Sequence, residues 1–166
     1  MSQPDVLTFP LETLIASDHW GTRLIIDASH GLSREQFTRE FPMGPGSVQK
    51  TLAHIVGAML RTVDVLGGLP PREPLDATQY TTPDALVPLL DHATAQLRAQ
   101  SKARPLSDMV TREFGGKAYK FTRNGIIVHI CTHGAYHRAQ CVNMLRQLGV
   151  SPLPDPSAIK WMMSMQ

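Results

Sequence analysis

The chain has 166 residues, 42% of them hydrophobic and 18% charged, with a formal net charge of +2. This size and balance favour a single domain over residues 1–166 with a real core, and exclude a disordered chain. Acids and bases are interspersed without a basic run, which argues against nucleic acid as a partner, and no apolar run approaches the ~20 residues of a membrane helix.

The opening, "MSQPDVLTFPLETL", lacks the charged start and apolar core of a secretory leader. Leu11, Leu14, Ile15, Leu24, Ile25 and Ala28 then recur at helical spacings, predicting a first helix over about 11–30 that stops at Gly31. Ser33 and Gln36 stand at capping-box positions, so a short helical turn follows. After the loop "PMGPGS", Ser47 is the N-cap of a second helix over 48–66, which ends at Gly67-Gly68. Thr82-Pro83 opens a third helix running to Ala103, and Pro88 within it predicts a kink.

In "VTREFGGKAYKF" the period changes to two. With Gly115-Gly116 as the turn, Phe114 pairs with Lys117, Arg112 with Tyr119 and Val110 with Phe121: a β-hairpin with its aromatic residues on one side. A fourth helix runs from about Asn124 to Gly149, and Asp155-Pro156 opens a short last turn. Cys131 and Cys141 share that fourth helix about 15 Å apart, too far for a disulfide, which fits a reduced, cytoplasmic protein. Four long helices with short connections predict an all-α fold, an antiparallel four-helix bundle with a short hairpin between its third and fourth helices.

The fourth helix holds three of the chain's seven histidines, His129, His133 and His137, at successive i, i+4 steps. A helical wheel places them with Ile126, Ile130, Met144 and Leu148 on the stripe expected to face the core. Buried imidazoles need partners, either hydrogen bonds to neighbouring helices or a metal ion. His129 and His137 lie about 12 Å apart along the axis, so no single ion takes both. One i, i+4 pair must be joined by a ligand from elsewhere: His19, His30, His54 or His92. His54 is favoured, because it sits in an apolar helix beside the small residues Thr51, Gly57 and Ala58; His30 and His92 read as surface or helix-end residues. Cys141 is in range of His137 but reads as core filling. There is no His-Glu-x-x-His, and no glutamate is followed three residues later by histidine, which removes the zincin and di-iron carboxylate classes.

The segment "IIVHICTHGAYHRAQCVNMLRQLGV" resembles the signature helix of the DinB-like (DNA-damage-inducible B) family, a His-x3-His segment running into His-Arg-Gly-Gln and Leu-x-x-Leu-Gly. "SVQKTLAHIVGA" is similar to that family's second-helix histidine segment, and "DHWGTRLI" more weakly to its first helix. The resemblance implies a four-helix bundle, often dimeric, holding one divalent ion (Zn, Ni or Fe) through three histidines. Carried over by position these are His54, His133 and His137, with His129 at a frequent family position that is not a ligand. Thr132 stands where the family often has Asn, Tyr136 where it has His and Ala139 where it has Gly; none is a ligand position.

Three neutral imidazoles leave such an ion its full charge, so it would acidify a bound thiol or water. The resemblance favours the thiol, since several branches resemble thiol S-transferases that use glutathione, bacillithiol or mycothiol on a small electrophile. A metal-dependent hydrolase and a stress-associated metal-binding protein without turnover are the alternatives. Gln140, one turn beyond His137, is a candidate contact to a ligand or substrate. Arg138, on another side of the helix, reads as a structural ion-pair or interface residue. Ile127, Cys131, Ala135, Val142 and Leu145 form a second apolar surface, which predicts cover by the rest of the chain or by the second copy of a homodimer.

Overall fold

Local signals set most of the helix ends. The computed structural model describes residues 9–166, so the stretch read as lacking a leader lies outside the described residues as far as Thr8. The first helix, α1, spans Pro10–Ala28 with proline in its first turn, and α2 spans Arg34–Thr38 behind the complete Ser33/Gln36 capping box. In α3, Val48–Leu66, the Ser47 hydroxyl accepts the Lys50 N–H at 3.1 Å. Helix α4 is Val87–Ala103, α5 is Arg123–Gln147 and α6 is Ala158–Met163. The strands β1, Met109–Phe114, and β2, Lys117–Thr122, pair in the predicted register. Gly115 and Gly116 both have positive φ, 56° and 74°, as a two-residue hairpin turn of this kind requires.

Two expectations are corrected. The third long helix does not start at Pro83 and kink at Pro88. Pro83–Leu86 is a separate 3₁₀ turn, and Pro88 falls in the first turn of α4, where its missing N–H has no intrahelical bond to lose. The histidines of α5 do not lie in the middle of the core-facing stripe either. The buried sector of α5 includes Ile126, Ile127, Ile130, Cys131, Met144 and Leu145, and it is centred about 90° around the helix from His133. The two apolar surfaces read from the sequence are therefore one wide sector, wrapped by the helices that α5 contacts: α3, α1 and α4. Ile127, Cys131 and Leu145 are covered within the chain, while Val142 is partly exposed and Ala135 exposed.

The shared core draws on Ile15, Ile25 and Ile26 of α1, Leu52, Val56 and Leu60 of α3, Leu90 and Leu97 of α4, and α5. Two buried arginines set how α5 sits in it. Arg123, 1% exposed, donates to the Leu66 carbonyl and the Gln100 carbonyl, both at 2.7 Å, and to Gln100 Oε1 at 3.1 Å. The start of α5 is thereby tied to the C-terminal ends of α3 and α4, where helix dipoles favour a cation. Arg138, 4% exposed, makes a buried ion pair with Asp18 of α1 and donates to Thr22 Oγ1 at 3.1 Å. Glycines make room for that pair: a Cβ at Gly134 would lie 2.5 Å from Asp18 Oδ1, and one at Gly21 would lie 3.0 Å from Arg138 Nε.

Candidate metal centre

Helix α3 presents His54 across a groove to His133 and His137 on α5. His54 Nε2 lies 3.1 Å from His133 Nε2, which lies 3.1 Å from His137 Nε2. All three ligand atoms fall within 4.8 Å of one another, close enough to hold one metal ion. His137 is 8% exposed, His133 is half-buried and His54 is exposed, so the triad lies at the core's edge and opens outward.

The donor set fits an ion better than it fits mutual hydrogen bonding. Gln140 Oε1 accepts from His137 Nδ1 at 2.8 Å, so His137 carries its proton on Nδ1 and turns an Nε2 lone pair toward the group. His133 Nε2 faces two other Nε2 atoms, yet a neutral ring nitrogen can serve only one of them, as donor or as acceptor. An ion accepts all three lone pairs at once. With metal–nitrogen bonds of about 2.0–2.1 Å, neighbours at this spacing would subtend about 100°.

Electrostatics favours the neutral form of His54 and His133, which coordination requires. Burial, with the neighbouring His137, His54 and His129, pushes the His133 pKa down to about 4. The His54 pKa is lowered by burial first, then by His137 and Arg61.

The remaining histidines are engaged elsewhere or stand apart. His19 pairs with Asp91 at 2.7 Å and His30 with Asp84 at 2.8 Å, while His92 is exposed. His129 is exposed, with its ring centroid 5.8 Å from that of His133, and stays outside the triad. Cys141 is fully buried and its thiol is pushed up to about 12, so it is core filling and not a ligand.

His54 and His133 of the triad line a cavity of about 510 Å³. Gly57 and Ala58 of α3 form part of its wall, leaving the space expected from small residues beside His54. Leu75, from the loop after α3, packs against Gly57, where a Cβ would come within 3.1 Å of Leu75 Cγ. That loop is pinned by Arg72, whose backbone N–H and guanidinium all donate to the Asp64 carboxylate at 2.6–3.0 Å.

With the triad on two facing helices and the signature helix intact as α5, sequence comparison decides the family: the DinB family model matches residues 1–162. The chain belongs to the DinB family. No curated protein matches it.

Some of the supporting residues escaped the sequence reading. Arg138 was expected to form an ion pair, but nothing in the one-dimensional pattern pointed to Asp18, 120 positions away. Gly44, in the loop before α3, has φ +51° and lies so close to Gln140 that a Cβ would come within 2.1 Å of its Oε1. The glycine-rich "PMGPGS" was a signal for close backbone approach that the turn reading did not use. Arg61 and Arg112, which line the cavity, were not singled out at all.

Proposed function

We propose that this DinB-family protein, its four long helices forming the family's antiparallel bundle, binds one divalent ion through His54, His133 and His137. We further propose that it is a thiol S-transferase, using the ion to activate a low-molecular-weight thiol toward a small electrophile. The observation that carries the reading is placement: the three Nε2 atoms converge, and two of the rings, His54 and His133, line a cavity while His137 is buried. Structural metal sites are closed by protein ligands, whereas catalytic ones keep a position open to solvent or substrate.

A divalent ion held by neutral imidazoles supplies Lewis acidity, lowering the pKa of a thiol or water presented to it. The chain's own residues do the rest. Burial and mutual repulsion keep His54 and His133 unprotonated at neutral pH. Gln140 holds His137 in the tautomer that directs Nε2 inward. Gly57 and Ala58 leave the volume in which an electrophile lies beside the ligand atoms.

The test is metal content of tag-free protein, followed by a panel of electrophiles and esters assayed with and without added thiol. Metal at one equivalent and thiol-dependent turnover, both lost in His133→Ala, support the transferase. Turnover with water alone replaces it with the hydrolase. Metal-loaded protein inert under both conditions points to a binding protein without turnover. Homodimerisation is a further expectation, from the family resemblance and the second apolar surface of α5, and a monomeric mass by light scattering at micromolar concentration rejects it.

A further inference from the structure

We propose that the cavity beside the triad binds a small organic anion, its carboxylate or other oxyanion held between Arg61 of α3 and Arg112 of β1. Both arginines are half-buried and line the cavity, and among the described residues neither has a carboxylate partner. Arg23, Arg72 and Arg98 are matched by Asp27, Asp64 and Glu12, and the exposed Arg34, Arg39, Arg104 and Arg146 form no ion pair among the described residues; what sets Arg61 and Arg112 apart is that both are half-buried and line one cavity. Arg112 is steered by Phe114, its guanidinium carbon 5.0 Å from the ring centroid, which fixes the group without neutralising it.

Two like charges set into one concave wall are unfavourable until an anion enters. Burial lowers the Arg112 pKa and the nearby charge of Arg61 lowers it further, so the two guanidinium groups feel one another. Arg61 also acts on His54. A guanidinium offers a planar fork of donors that matches a carboxylate or phosphate oxygen pair.

Spacing narrows the ligand. His54 and Arg61 are seven residues apart, two turns of α3, which places them on the same face about 10 Å apart. Between them on α3 stand the small residues Gly57 and Ala58; Leu75 and Ile130 also line the cavity, together with the polar Lys50, Thr62 and His129. A molecule with an anionic group at one end and a short apolar body fits this wall, the other end reaching the histidines. The proposal deepens the metal-centre reading, resting on it only for that second end.

The test titrates metal-loaded protein by calorimetry with glutarate, with its neutral diamide glutaramide, and with inorganic phosphate. Glutarate is expected to bind saturably at millimolar concentration and glutaramide at least ten-fold more weakly. Arg61→Gln and Arg112→Gln should each weaken glutarate, and the double variant by ten-fold or more, with metal content unchanged. Lys117→Gln, an equal charge change at the hairpin tip, should leave binding as it was. Phosphate binding as well as glutarate assigns a general oxyanion site; glutarate without phosphate assigns an organic carboxylate; either supports the proposal. Equal binding of glutarate and glutaramide, unchanged binding in the double variant, or no saturable binding of either anion overturns it. Protein that takes up no metal yet binds glutarate through the arginines overturns the metal centre and leaves this site standing.

Discussion

His137 has both ring nitrogens assigned, Nδ1 to Gln140 and Nε2 to the triad, and Gln140 is held in turn against the backbone of Gly44. This chain of contacts fixes the ring before any ion arrives. Partners behind a metal-binding histidine typically contribute about 10–100-fold in metal affinity. Gln140→Ala is therefore expected to weaken metal binding by that factor in a chelator-competition assay, without loss of fold. Gly44→Ala should weaken it comparably, because a Cβ there collides with Gln140 Oε1 and φ +51° is unfavourable for alanine by about 1 kcal/mol. Full affinity in both variants would mean that His137 is oriented by packing alone.

At the scale of elements, the seam between α1 and α5 and the loop after α3 are held by different kinds of ion pair. The Asp18–Arg138 pair is buried, so removing one partner strands a charge, whereas removing both strands none. Arg138→Met is expected to cost about 3–5 kcal/mol in denaturant unfolding, and adding Asp18→Leu should recover a substantial part of it. Losses that simply add would refute that coupling. Asp64 holds the loop that carries Leu75, and its hydrogen bonds from Arg72 keep its carboxyl below the usual carboxylate range. The sign follows: this stabilisation is complete above the ordinary carboxylate pKa of about 4 and is lost as pH falls through the lowered native value. Asp64→Asn should remove that acid-side step from a stability–pH profile while leaving the slope above pH 5 unchanged. Capping residues, hairpin register and the i, i+4 histidines were readable because each is a short-range pattern: Ser47, Gly115-Gly116 and His133/His137 announce themselves locally. The first turn of α4 was misread because Pro88 suits a helix start as well as it breaks a helix middle. The orientation of α5 was misread because a helix wrapped by three others buries a sector too wide for one stripe, and the wheel then has no single centre.

Over the whole molecule, the triad and Arg123 both link α3 to α5, but at separate places. The triad joins their facing sides at His54, while Arg123 joins the end of α3 at Leu66, twelve residues and about 18 Å further along. An ion that binds only the folded chain adds stability by mass action, about 2.7 kcal/mol at one hundred times its Kd. For a domain of this size that corresponds to a rise in Tm of about 5–10 °C over chelator-treated protein. Arg123→Met removes three charge-assisted hydrogen bonds and leaves buried carbonyls without a partner, so a loss of at least about 3 kcal/mol is expected with or without metal. Sites this far apart without shared partners should act additively. Arg123→Met should therefore melt lower than wild type in chelator yet keep the same metal-dependent increment, while His54→Ala should lose the increment and change little in chelator. Differential scanning fluorimetry of the three proteins, each in metal and in chelator, reads this directly. If Arg123→Met also abolished the metal increment, the two links would be one cooperative unit, and the triad would be formed only when the far end of α3 is clamped.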